Sequence, residues 1–270
     1  MLIQRVVTAL VLLPLLLAAI WWLPTPWLYG LLSGAGLLVA WEWAGLIQAH
    51  TRLSRAGFVL LTAAALFGAG LLREHWPLAA ALACAGWVLA LVLVRGYPGN
   101  LGGRPLAAGL MVAIGLLLIV PTMLSLAALH EMDNGAWRLT YVFLLIFAAD
   151  TGAYLAGRNL GRRKLAPAVS PGKTIEGALG GLLLCAAWAL TGGVFVFEVA
   201  GTDLLWLLGL SLLAALASIL GDLLESLFKR VAGVKDSGTL LPGHGGLLDR
   251  VDSVLAAAPV MALGVYLLQL

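Results

Sequence analysis

Nine stretches of this chain are long, apolar and almost free of charge: 6–23, 27–48, 57–72, 77–94, 105–129, 137–157, 177–197, 204–224 and 251–269. A helix rising about 1.5 Å per residue needs about 20 such residues to cross the hydrocarbon core of a bilayer. The alternative is a water-soluble domain, and composition excludes it. With 62% of its 270 residues hydrophobic and 11% charged, the chain has too little polar surface to cover a globule of this size. The expected fold is therefore all-α, a polytopic integral membrane protein of about nine transmembrane helices. The third and fourth stretches are short and are expected to pair as a tight hairpin. The first follows Arg5 and has the look of a secretory leader. No small-x-small site precedes Trp21-Trp22-Leu23-Pro24, so it is read as a retained helix. Trp21, Trp22, Trp27, Trp76, Trp137 and Trp206 fall near the ends of stretches, where interfacial aromatic residues gather. His50, His75 and His130 are read the same way. Cys84 and Cys185 lie in separate apolar runs and are read as reduced packing residues.

Nine crossings put the N-terminus and every second loop on one side. That side holds Arg5, Arg52, Arg55, Arg95, Arg104, Arg158, Arg162, Arg163, Lys164, Lys173, Lys229, Arg230, Lys235 and Arg250, leaving only Arg73 and Arg138 of the 16 Lys and Arg residues on the other. Basic loops remain in the cytoplasm. The N-terminus is therefore expected inside and the C-terminus outside, and a count wrong by one helix would erase the asymmetry.

Polar residues are shared unevenly. Residues 1–136 have short loops and are read as a scaffold of transmembrane helices, a place for a lipid cavity or dimer contacts. Residues 137–270 contain two long polar loops, 158–176 and about 225–250, and are read as the catalytic region. Asp222, Glu225, Ser226 and Lys229 are spaced to share one face at the end of the eighth helix. Asp249 and Asp252 follow at the start of the ninth. Between them run Lys235, Asp236 and Pro242-Gly243-His244-Gly245-Gly246. Carboxylates at the edge of a membrane span are costly, so they point to function by default. Carboxylates from two helices at one interface suit an oxygen cage for Mg²⁺, with Asp222, Asp249 and Asp252 as the expected ligands. Lys229, Arg230, Lys235 and Arg250 add the positive charge that a metal-bound triphosphate calls for. Taken alone, the pattern also fits an ion-paired interfacial loop with acidic residues at a helix start.

The order Ser226-x2-Lys229-Arg230-x4-Lys235-Asp236, followed by Pro242-x-His244-Gly245-Gly246-x2-Asp249-Arg250-x-Asp252, spans 27 residues. It resembles the signature of the phosphatidate cytidylyltransferase (CDP-diacylglycerol synthase) family. The resemblance implies transfer of the cytidylyl group of CTP to phosphatidate, giving CDP-diacylglycerol and pyrophosphate in phospholipid biosynthesis. It implies an Mg²⁺-dependent nucleotidyltransferase with room for a second, monovalent cation. It also implies a homodimer in the bacterial plasma membrane, its active site facing the cytoplasm. Partners are then CTP, phosphatidate and the surrounding lipids, with no nucleic acid. Asp222, Asp249, Lys229, Lys235, Asp252 and Arg250 are the catalytic candidates. Ser226, Arg230, His244, Gly245 and Gly246 are candidates for holding substrate phosphates.

Residues 148–177 form the second polar region. Asp150 lies inside an apolar run, which is costly unless it faces a cavity. Gly152 and Gly157 open the helix surface beside it. Arg158, Arg162, Arg163 and Lys164 form a basic cluster that also suits cytoplasmic topology or anionic lipid. The triplet Gly172-Lys173-Thr174 invites a P-loop reading, which fails because Pro167 occupies the place of the first glycine. The segment Ser170-Pro171-x-Lys173-Thr174-x-Glu176-Gly177 resembles a second family segment, in which Lys is often found where Gly172 stands. Asp150, Ser170, Lys173 and Thr174 join the substrate-binding candidates. Glu42, inside the second stretch, has room to face a polar cavity and is assigned no catalytic part.

Three rivals bear on this reading. A polyprenol kinase-like enzyme also handles a nucleotide and a lipid. A CDP-alcohol phosphotransferase needs an Asp-Gly-x2-Ala-Arg pattern that is absent. A cation transporter with Asp150 and Asp222 in its pathway would show inverted repeats, and none is visible.

Overall fold

A computed structural model of the chain describes residues 2–47, 51–101, 106–240, 243 and 245–270, with side chains from residue 10 onward. The described residues form α1 (Leu2–Trp22), α2 (Thr25–Leu46), α3 (Arg52–Leu71), α4 (Trp76–Gly96), α5 (Ala108–Glu131), α6 (Gly135–Leu160), α7 (Ile175–Phe197), α8 (Gly201–Ala232) and α9 (Leu248–Leu268). A 3₁₀ turn at Arg73–His75 leads into α4. Seven of the helices, α3 to α9, are long and apolar enough to cross a membrane. In α1 the described apolar part is Leu10–Trp22, and α2 is diluted by its Gly, Ser, Tyr and Trp residues and Glu42. The all-α membrane architecture is as expected. Leu53, Leu60, Phe67, Leu78, Leu82 and Leu89 are exposed on α3 and α4, as lipid-facing surface should be.

The sequence signals for helix ends are honoured. Pro26 opens α2, where a missing N–H costs nothing. Thr51 and Ser54 form a capping box at the start of α3, and Thr174 caps α7 by accepting the Gly177 N–H at 3.1 Å. Gly233, at φ 70°, ends α8 in the left-handed conformation that glycine adopts most easily.

Two sequence expectations need correction. α3 packs mainly on α2 and α5, and α4 on α5, α9 and α8, so the third and fourth helices form no hairpin with each other. The 158–176 loop carries two short antiparallel strands, β1 (Lys164–Ala166) and β2 (Ser170–Thr174). Pro171 and Gly172 within β2 had hidden it, since both residues are depleted in strands.

At the centre lie α5 and α9, each apolar on most sides. Each contains a proline, Pro121 and Pro259. Pro259 cannot donate to the carbonyl of Leu255 one turn earlier. The buried Thr122 hydroxyl of α5 lies 3.0 Å from that carbonyl and 2.6 Å from Leu118 O of its own helix, and so re-satisfies the break. The α6–α7 pair is the tightest in the fold, and its seam is built of small residues. Ala149, Ala153 and Gly157 of α6 repeat at four-residue intervals against Gly177 and Gly181 of α7. A Cβ at Gly181 would stand 2.7 Å from the Ala149 carbonyl, so the backbones touch. That seam fixes Asp150 relative to the β2–α7 junction. The interfacial Trp residues behave as expected: Trp22, Trp27, Trp137 and Trp206 are exposed, and Trp21 packs edge-on against Trp137 at 4.6 Å. Cys84 and Cys185 are free thiols.

Candidate active site

Six elements converge on one cavity of about 650 Å³. The second half of α6 contributes Asp150, Tyr154, Gly157 and Arg158. β2 and the start of α7 contribute Gly172, Lys173, Thr174 and Gly177. α8 contributes Ser218 and Asp222, and the first turns of α9 contribute Asp249, Arg250, Asp252 and Ser253. The two polar regions, separated by some 40 residues of sequence, thus line a single space. Phe147, Ile219 and Leu165 give the same cavity apolar wall. A smaller cavity of about 130 Å³ near Arg73 and Glu131 holds none of the candidate residues.

α8 runs on to Ala232, 32 residues in all. At about 1.5 Å per residue it outreaches a hydrocarbon core of about 30 Å. Its final turns therefore carry the expected polar face out of the apolar layer as helix. Lys173 Nζ stands 2.6 Å from Asp222 Oδ2, joining the two polar regions directly. Ser226 Oγ donates to Asp222 Oδ1 at 3.2 Å. Asp252 is buried, and its Oδ1 accepts the Ser253 N–H at 2.7 Å. Among the described residues, Asp222, Glu225 and Asp252 form the one acidic cluster in which one carboxylate oxygen from each of three residues lies within 4.8 Å of the others. Glu225 Oε1 is buried and receives no hydrogen bond. Hard oxygen donors at this spacing, one of them without a donor, fit a small divalent cation such as Mg²⁺.

Of the three carboxylates expected to hold a metal, Asp222 and Asp252 lie in this cluster, while Glu225 rather than Asp249 completes it. Asp249 Oδ1 lies 2.7 Å from Lys229 Nζ, while Oδ2 accepts N–H groups from Gly246 at 2.8 Å and Ser237 at 3.1 Å. Lys229 is itself buried and bridges Asp249 to Glu225 Oε2, which stands 2.5 Å away. It lies behind the acidic cluster, outside the residues that line the cavity. Gly245 has φ +85°, and a Cβ there would stand 2.9 Å from Asp249 Oδ2. Gly245 and Gly246 therefore wrap the Asp249 carboxylate with backbone.

The other candidates are dispersed. Arg230 Nε donates to the Val169 carbonyl at 3.3 Å, tying the end of α8 to the β1–β2 turn. Ser170 is half-buried on β2 and Lys235 is exposed beyond α8, and neither lines the cavity. Thr174 lines it but its hydroxyl caps α7. His244 lies outside the described residues. Glu176 Oε1 pairs with Arg163 Nε at 3.0 Å and Oε2 accepts the Arg162 N–H at 3.0 Å, folding the basic cluster back onto α7. Sequence reasoning undervalued two residues. Glu225 was placed on the polar face but left out of the ligand set. Glu42 was noticed as a carboxylate within an apolar run and given no role. Its Oε2 accepts the Leu248 N–H at 2.7 Å, at the start of α9.

The Cytidylyltransferase family profile matches residues 3–268. A phosphatidate cytidylyltransferase of Pseudomonas aeruginosa is 41% identical over 97% of this chain and 96% of its own length. One of Haemophilus influenzae is 40% identical over 96% of each. One of Staphylococcus aureus is 46% identical over 48% of this chain and 49% of its own. With its cavity built from the segments that carry the family's signature, and with relatives aligned nearly end to end, this chain belongs to the cytidylyltransferase family.

Proposed function

We propose that the chain transfers the cytidylyl group of CTP to phosphatidate, forming CDP-diacylglycerol and pyrophosphate. The observation that carries the reading is the meeting of Lys173, Arg250, Asp222 and Asp252 in one cavity that also has an apolar wall. The reaction needs a place where a lipid phosphate and a nucleotide triphosphate meet, with the acyl chains left in the membrane.

An oxygen of the phosphatidate phosphate attacks Pα of CTP, the bond from Pα to the β-phosphate bridge oxygen breaks, and pyrophosphate departs. A phosphate monoester with a second pKa of about 6 is already largely dianionic at neutral pH, so no general base is required. The barrier is the approach of two anions and the charge that grows on the leaving group. Lys173 exchanges its Asp222 partner for a phosphoryl oxygen, and Arg250 holds a second one. Asp150 faces them from α6 and helps to fix the orientation of Lys173. Asp222, Asp252 and Glu225 are the residues that would hold Mg²⁺, which when bound neutralises charge on phosphoryl oxygens. A monovalent cation and a homodimer rest on the family resemblance alone. The lining residues all fall between Phe147 and Ser253, which supports the division into a scaffold, 1–136, and a catalytic region, 137–270. The reading is tested with purified protein in detergent. Pyrophosphate release should require CTP and phosphatidate together. Equal turnover of CTP, ATP and GTP would reject the cytidine assignment.

The charge asymmetry favours a cytoplasmic N-terminus and cavity mouth, and the family resemblance implies a bacterial plasma membrane. Arg162→Cys and Val234→Cys, each in a background with Cys84 and Cys185 replaced by Ala, should be labelled by impermeant maleimide only in inside-out vesicles. Labelling of either position from the outer face would overturn the orientation.

A further inference from the structure

We infer that Glu42, on α2 in the scaffold half, is a positioning residue that holds the start of α9 and the loop before it, and through them Asp249. Glu42 is 3% exposed. A carboxylate buried within a membrane helix is costly unless the fold uses it. The first turn of α9 has no cap of its own, because its N-cap is Leu247, whose side chain can accept nothing. Glu42 Oε2 fills that place from 206 residues away, taking the Leu248 N–H at 2.7 Å. A carboxylate there also meets the positive end of the α9 dipole. The same oxygen accepts the Ser237 hydroxyl at 3.4 Å.

The loop is shaped around this carboxylate. A Cβ on Gly238 would stand 2.7 Å from Glu42 Cδ, and one on Gly246 would stand 2.6 Å from Oε2. Neither glycine has the positive φ that would explain it by backbone conformation; Gly243 and Gly245 do. Close approach to Glu42 is what requires glycine at 238; at 246 the Ser237 hydroxyl, itself bonded to Glu42, stands nearer still. Ser237 and Gly246, gripped by or pressed against Glu42, are also the two residues whose N–H groups hold Asp249. Glu42 thus governs one side of a loop whose other side orients Asp249, Lys229 and Glu225 in turn. Only the expected effect on turnover rests on the cytidylyltransferase reading; the effect on the loop does not.

The test combines amide hydrogen exchange with steady-state kinetics on the full chain in detergent. Glu42→Leu should speed exchange in peptides covering 245–249 by about tenfold, the scale of one lost hydrogen bond, with α6 and α7 unchanged. Its kcat should fall about 10²-fold, as for a displaced catalytic constellation, with little change in KM for CTP. Glu42→Gln keeps an acceptor for the Leu248 N–H and should recover most of both. Should Glu42→Leu not fold, Gly238→Ala supplies the same test, because the three atoms nearest its methyl all belong to the Glu42 side chain. It should reproduce the local exchange and the kcat loss. Unchanged exchange at 245–249 in these variants, or an increase spread evenly over all helices, overturns the inference. So does an equal loss of kcat in the Leu and Gln variants. If the wild-type protein does not turn over CTP with phosphatidate, the functional reading falls, while the exchange result still decides the role of Glu42.

Discussion

Asp222→Asn should lower the rate of CDP-diacylglycerol formation by about 10²-fold or more, the scale of lost electrostatic stabilisation in a phosphoryl-transfer site. The variant should insert and melt close to wild type. Asp222 is where the two polar regions join: its carboxylate meets Lys173 Nζ at 2.6 Å, accepts from Ser226 at 3.2 Å, and has an oxygen within 4.8 Å of one oxygen each of Glu225 and Asp252. Asparagine keeps the size and can still accept from Ser226. It removes the charge that Lys173 and a bound cation both answer to. Because Asp222 is half-exposed on the cavity wall, its ion pair contributes little to stability. Asp249→Asn should also lose activity, but by displacing Lys229 and the loop amides, and it should lower the melting temperature too. Initial rates across a series of Mg²⁺ concentrations, with melting curves beside them, separate the two. Near-normal rates with unchanged Mg²⁺ dependence in Asp222→Asn would refute the assignment of Asp222.

Lys229→Met should give the largest loss of stability of any single change in the site. Its ammonium, buried with the residue 9% exposed, is shared by Glu225 at 2.5 Å and Asp249 at 2.7 Å. Removing it leaves two buried carboxylates facing each other with no cation between them. Breaking a buried ion pair by deleting one partner typically costs about 3–5 kcal/mol. For a chain of this size that corresponds to a fall of about 10 °C in melting temperature. The loss should be largely recovered when Glu225→Gln and Asp249→Asn are added, because the repulsion is then gone. Activity should not return with it. A melting curve for Lys229→Met that overlays wild type would contradict the geometry, and so would a triple variant less stable than the single one.

The bundle was legible because a bilayer imposes a length on every apolar run. The nine expected stretches correspond to nine helices among the described residues, seven of them long and apolar enough to cross a membrane, and α6 to α9 fall within a few residues of their expected bounds apart from the extended end of α8. The candidate site was legible in part. The i, i+3, i+4, i+7 spacing put Asp222, Glu225, Ser226 and Lys229 on one face, and the Lys173–Asp222 contact joins two regions that were both marked as polar. Periodicity on one helix cannot say which of several carboxylates face one another across helices. Glu225, not Asp249, joins the acidic cluster for that reason: the loop amides of Ser237 and Gly246 reach Asp249, and only tertiary structure brings them there. Glu42 was out of reach by the same logic, since its partner Leu248 offers nothing but a backbone N–H. The β1–β2 strands were masked by Pro171 and Gly172, whose local preference the packing against α7 overrides.

The central claim is that the cytidylyl group itself is transferred to the lipid. Purified protein in detergent, given phosphatidate and Mg²⁺, should be supplied in parallel with CTP labelled at the α-phosphate and CTP labelled at the γ-phosphate. The α-label should move into the chloroform-soluble fraction as CDP-diacylglycerol, and the γ-label should appear in pyrophosphate. Transfer of the γ-label to the lipid would identify a kinase, and label from neither position in the lipid would contradict the account outright.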